Sequence, residues 1–256
     1  MTPRPTFPRF SAKVRHPSLI EPAEFARVYL PGVRVPPRFF LVWRPGLAPK
    51  LARRFRGRRL RPFSDSYVFP GSPPTVGISL PRGVGGPTTI LRAEELAAVG
   101  AREFIGVGYA GALSPTLRPG DVVVCDRAVR DEGTSHHYAH PNVVARPSAT
   151  LNRWITGALS EARIPFRLGE GWTTDAPYRE TREELRHYRK LGILTVDMEA
   201  SALFIFARHR NLRAATVFVI SDVLTERRWR PHFHRVGEKL ELVASALVRA
   251  SKAAER

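Results

Sequence analysis

A chain of 256 residues with 43% hydrophobic content can bury one substantial core and sits near the upper size for a single domain. Lys and Arg total 41 against 23 Asp and Glu, a net +18 carried mostly by arginine, which points to an anionic partner; scattered arginines without stacking aromatics, a helix-turn-helix or a zinc pattern make a phosphate-bearing substrate the expectation and nucleic acid not. The single Cys125 excludes an internal disulfide framework, no apolar run reaches membrane-spanning length and the proline-rich start lacks a signal-peptide core, so a cytoplasmic protein without a membrane partner is expected.

Residues 1–37, rich in proline and basic groups, read as an extended arm with one short helix at 22–29. The main domain is expected over 38–256. Its first strand is Phe39-Phe40-Leu41-Val42-Trp43, followed by a turn at Arg44-Pro45-Gly46 and a basic segment to Arg61. A strand over 75–80 leads into Gly83-Val84-Gly85-Gly86-Pro87 and a helix over 88–99 closed by Gly100. Strands follow over 104–109 and, after Arg118-Pro119-Gly120, over 121–125. The pattern then becomes a helix at 149–162, a strand at 165–168 and a charged amphipathic helix at 180–191. A helix over 200–209, a buried strand over 214–220 and a closing helix over 234–253 complete the chain. Strands alternating with helices predict a three-layer α/β/α sandwich around a mixed, largely parallel sheet.

Two carboxylates stand at the edges of apolar segments. Glu199, in Val196-Asp197-Met198-Glu199-Ala200, has two oxygens that suit the neighbouring hydroxyls of a ribose. Asp222 closes the run Val217-Phe218-Val219-Ile220-Ser221, at the strand end where open α/β sheets place ligands. A partly buried acid there can aid departure of a purine by protonating its ring nitrogen. The alternatives are that Glu199 caps a helix and Asp222 begins a turn. The glycine loop can likewise be an anion cradle before a helix, or only a tight turn.

In order, the glycine loop, Gly108-Tyr109-Ala110-Gly111-Ala112, Pro119-Gly120-Asp121-Val122-Val123, residues 196–200 and Ser221-Asp222 resemble the nucleoside phosphorylase-I family. That family includes purine nucleoside phosphorylases, uridine phosphorylases and methylthioadenosine nucleosidases. The resemblance covers about residues 38–250 and implies N-glycosidic bond cleavage in a ring-shaped homo-oligomer, from dimer to hexamer. It implies Met198 and Glu199 on the ribose, a purine-type Ser221-Asp222 pair at the base, and phosphate as co-substrate with no other cofactor. Residues 130–137, by contrast, look closer to uridine phosphorylases.

The family's phosphorylases carry an arginine three residues before a serine or threonine after the central strand, where this chain has Gly106 and Tyr109. Gly46, Lys50, Arg82 and Gly85 are the expected replacements at the phosphate. Hydrolytic members place a glutamate just after the first strand, and residues 44–50 contain none. Tyr178 is expected at the base, with Arg179 or Glu180 reading its edge, and His16 to reach a neighbouring subunit's sugar. His136, His137 and His140 lack the companions of a metal site, so no metal is expected. The rival functions are a nucleoside hydrolase, a uridine phosphorylase, or a silent nucleoside- or nucleic-acid-binding protein.

Overall fold

The computed structural model describes residues 11–71 and 75–253. The first ten residues of the expected arm lie outside the described residues. The rest of the arm forms a 3-10 turn, Ser11–Arg15, and α1, Pro22–Tyr29, which buries Ala26 and Leu30 in the core. Next come β1 (Arg38–Val42), α2 (Leu47–Arg54), β2 (Arg58–Arg59), β3 (Ser66–Val68), β4 (Val76–Ser79) and α3 (Gly86–Ala98). The middle of the chain holds β5 (Glu103–Ala112), β6 (Val122–Asp131), α4 (Ala149–Glu161), β7 (Arg167–Thr174) and α5 (Arg182–Lys190). The last third holds β8 (Thr195–Asp197), α6 (Ala200–His209), β9 (Arg213–Leu224), β10 (Trp229–Pro231) and α7 (Gly237–Ala253).

Two expectations are corrected by this layout. The basic segment after β1 is not featureless: Leu47, Ala48, Leu51 and Ala52 make one buried stripe at helical spacing, and α2 docks by it. The late strand does not stop at Ile220 but runs to Leu224, so Asp222 lies within β9. β9 is buried from Ala214 to Asp222, which explains its unbroken apolar run.

The sheet is mixed and sandwiched as expected. α1, α3 and α6 cover one face around Ile90, Ala93 and Leu203; α2, α4 and α7 cover the other around Leu51, Ile155 and Val243. β4, β1, β5 and β9 run parallel, and β6, β7 and β8 form a second parallel set. Antiparallel seams at β6–β9 and β5–β8 join the two sets. The second seam pairs Gly111 with Val196, so five strands close on themselves and bring the ends of β5, β8 and β9 together.

Candidate active site

A cavity of 690 Å³ opens where the carboxyl ends of β1, β5, β8 and β9 meet, the position at which α/β sheets bind ligands. Trp43, Tyr109, Met198, Glu199, Ser221 and Asp222 all line it. Glu199 is buried, and both its oxygens are held by backbone. Gly85 N–H donates to Oε1 at 2.6 Å and Met198 N–H to Oε2 at 3.3 Å. The glycine loop's amide is therefore turned on the protein's own carboxylate. Burial, with the nearby Asp197 charge, pushes the Glu199 pKa up to about 8.

Glu199 occupies the N-cap position of α6 but does not cap it. Asp197, whose role the sequence reading missed, does so: its Oδ1 accepts from Glu199 N–H and Ala200 N–H, both at 2.8 Å, and from Thr173 Oγ1 at 3.2 Å. The other Asp197 oxygen is buried without a partner among the described residues, and burial pushes its pKa up to about 6. A carboxylate three residues before the helix start is the signal that could have found it.

Asp222 is aimed by a bulge. Ala110 pairs with Ile220 and Gly111 with Asp222, leaving Ser221 unpaired in the β5–β9 ladder. Ser221 Oγ donates to Asp222 Oδ1 at 2.6 Å and Trp229 Nε1, from β10, donates to Oδ2 at 2.7 Å. Gly111 lies opposite, where a Cβ would sit 2.7 Å from Leu224 Cδ1 and 3.1 Å from Asp222 Oδ2 and would press on both side chains. Glu180 lines the same cavity, and burial together with the Asp222 charge pushes its pKa up to about 7.

The remaining expected residues separate into two groups. Tyr178 lies at the cavity but is 99% exposed, whereas Arg179 is exposed and does not line it. Gly46, at φ 81°, starts α2; Lys50, further along that helix, bridges Glu241 of α7 at 2.5 Å. Arg82 is exposed and donates to Ser64 Oγ at 3.4 Å. Gly46, Lys50 and Arg82 do not line the cavity. Nor do residues 130–137, where Glu132 instead binds Ser201 Oγ at 2.8 Å and braces the start of α6. His16 is exposed, and His137 Nδ1 lies 2.9 Å from Lys13 Nζ. No helix among the described residues is long and apolar enough to cross a membrane.

The glycines at 106 and 108 have a steric cause. The Trp43 indole lies across them, so that a Cβ at Gly106 would fall 2.3 Å from Cη2 and one at Gly108 2.5 Å from Cε3. Trp43 Nε1 donates to Thr89 Oγ1 at 2.9 Å and the ring stacks near Phe218, which fixes it there.

Residues 74–255 match the family model described as the phosphorylase superfamily. The chain is 31% identical to a uridine phosphorylase of Thermococcus kodakarensis over 80% of this chain and 78% of that protein. It is 28% identical to a uridine phosphorylase of Treponema pallidum over 72% and 76% of the two chains. With a guanosine phosphorylase of Halorubrum lacusprofundi it shares 31% identity over 56% of this chain and 59% of that protein.

Proposed function

The chain belongs to the phosphorylase superfamily and is an enzyme of that kind, and from that premise we propose that it is a nucleoside phosphorylase, a pentosyltransferase that moves the sugar of a purine nucleoside to phosphate. A buried carboxylate suited to a diol and a carboxyl pair suited to a base, in one cavity, support this most directly. Glu199 accepts from two backbone donors and keeps a hydrogen-bonding position on each oxygen for the ribose hydroxyls, while Met198 packs on the sugar. The C1′–O bond to phosphate forms as the C1′–N bond breaks. The bonding pair leaves with the base, which takes a proton, and the anion offsets the oxocarbenium charge between them.

At the base end, Asp222, supported by Ser221, acts on the departing purine, and Glu180 beside it titrates in the range of a general acid. Carboxylates accept from N–H donors, of which a 6-oxopurine such as guanine offers several and uracil's free edge one, flanked by carbonyls. Phosphate is the co-substrate and no other cofactor is required. The domain responsible spans 38–256, with 1–37 as an arm, and the enzyme works as a homo-oligomer. Exposed Leu19, Ile20, Val28 and Tyr29 near and on α1 fit burial against another copy. A second reading, uridine phosphorolysis, is favoured by the two uridine phosphorylases above. Turnover of guanosine, inosine, adenosine and uridine with phosphate separates the two: uridine as the best substrate would reject the purine assignment.

A further inference from the structure

We propose that Asp197 is a positioning residue for the Glu199 carboxylate, and that a water bound between Asp197 Oδ2, Thr195 Oγ1 and Cys125 Sγ, beside Gly171, holds it in place. The proposal rests on the reading of Glu199 as the ribose clamp and names what keeps that clamp aimed.

The first turn of α6 leaves its N–H groups without partners in the helix, and one carboxylate gathers them. Asp197 Oδ1 accepts from Glu199 N–H and Ala200 N–H, both at 2.8 Å. Thr173 Oγ1 extends the set, accepting from Ser201 N–H at 3.1 Å and donating to the same Oδ1 at 3.2 Å. The main chain of Glu199 is therefore set by the rotation of the Asp197 carboxyl group. What its second oxygen meets decides that rotation.

That oxygen, Oδ2, is buried without a hydrogen-bond partner among the described residues, and so is Thr195 Oγ1. Both residues are almost fully enclosed, at 4% and 1% exposure. The two atoms face the same point, since a Cβ on Gly171 would lie 3.2 Å from each and 3.6 Å from Cys125 Sγ. β7 runs between β6 and β8, and Gly171, which pairs with Thr195, leaves the space among the three side chains open. The Cys125 thiol donates to the Arg127 carbonyl at 3.0 Å, so its sulfur is left as a weak acceptor. A water that accepts from the Thr195 hydroxyl and donates to Asp197 Oδ2 and Cys125 Sγ satisfies all three groups, the usual number for a buried water. A divalent metal ion fits poorly, because it takes six or more oxygens and the cluster offers two.

The test compares the ribonucleoside turned over fastest with its 2′-deoxy counterpart, which gives Glu199 one hydroxyl fewer to hold. Asp197→Ala should lower kcat/KM about 10- to 100-fold on the ribonucleoside and about three-fold or less on the deoxynucleoside. Asp197→Asn keeps an acceptor for the N–H groups and a polar atom for the water, and should restore both to within about five-fold of the parent. Thr195→Val should cost the ribonucleoside about 3- to 10-fold with the same bias. Ser245→Ala removes another buried, unpartnered hydroxyl, on α7, and should leave both substrates within about two-fold. A high-resolution crystal structure of the parent should show the water in contact with Asp197 Oδ2 and Thr195 Oγ1. If Asp197→Ala does not fold, Thr195→Val carries the kinetic test. Equal losses on the two substrates would overturn the positioning role, and no density between the two oxygens would overturn the water. Unchanged ribonucleoside kinetics in Glu199→Gln would instead overturn the ribose-clamp reading beneath both.

Discussion

Gly85 N–H donates to Glu199 Oε1 at 2.6 Å, joining the start of α3 to the start of α6 across the floor of the cavity. Gly85 has φ 89° and ψ 169°, a conformation nearly confined to glycine that costs other residues about 1–3 kcal/mol, and a Cβ would sit 3.8 Å from Met198 Cε. Gly85→Ala should therefore destabilise the protein by about 1–3 kcal/mol and, by loosening the Glu199 carboxylate, lower kcat/KM about ten-fold or more. Urea unfolding and nucleoside kinetics on the same preparation check both. A stable variant of normal kcat/KM would mean that the amide does not position Glu199.

Glu199 also makes stability depend on pH. Its pKa rises from the ordinary 4.5 to about 8 in the folded chain, so folding favours the protonated form. The folded state then binds the extra proton between those values. The stability it contributes is complete below pH 4.5 and is lost as pH climbs through about 8. Asp197, raised from 3.8 to about 6, acts in the same sense at lower pH. Glu199→Gln cannot titrate and should flatten the fall of Tm between pH 5 and 8; equal slopes in parent and variant would refute the assignment.

Asp222 is held by two donors, and removing its carboxyl group should cost turnover more than binding. Asp222→Asn should lower kcat about 10²- to 10⁴-fold. Trp229→Phe keeps the aromatic contact with Phe233 but removes the donor to Oδ2, and a fall of about ten-fold is expected. Near-normal purine turnover in Asp222→Asn would exclude this carboxylate from the chemistry.

Trp43 and Gly106 should behave as one unit. Gly106→Ala forces a methyl against the indole and should cost about 1–3 kcal/mol, with part of that cost gone in a Trp43→Leu background and the rest lying in the 2.9 Å approach to Thr216 Cγ2. Additive effects in the double-mutant cycle would show that the contact does not set the glycine.

Much of this architecture was legible in the residues. α1 and α6 end where the sequence pattern ends them, because proline at the first turn of one and the unbroken apolar run of the other are local signals. Glu199 and Asp222 were legible because a carboxylate beside a buried apolar run needs a reason to be there. α2 was obscured by Pro49 and its arginines, which hid a four-residue stripe. β8 is three residues long and carries no periodicity of its own. Asp197 could be told from Glu199 only once the first turn of α6 showed which carboxylate receives the free N–H groups. The Lys50 ion pair was not legible for a tertiary reason, since Glu241 is distant in sequence and meets it only when α2 packs on α7. Trp43 across Gly106 is a contact of the same kind.

The most direct measurement incubates the purified protein with guanosine, inosine, adenosine, methylthioadenosine and uridine, each with and without phosphate, and follows base and sugar by chromatography. Phosphate-dependent release of a purine base with matching pentose 1-phosphate is the expected result. Free pentose formed without phosphate would make water the nucleophile, and no base release from any of the five would contradict an enzyme of this kind.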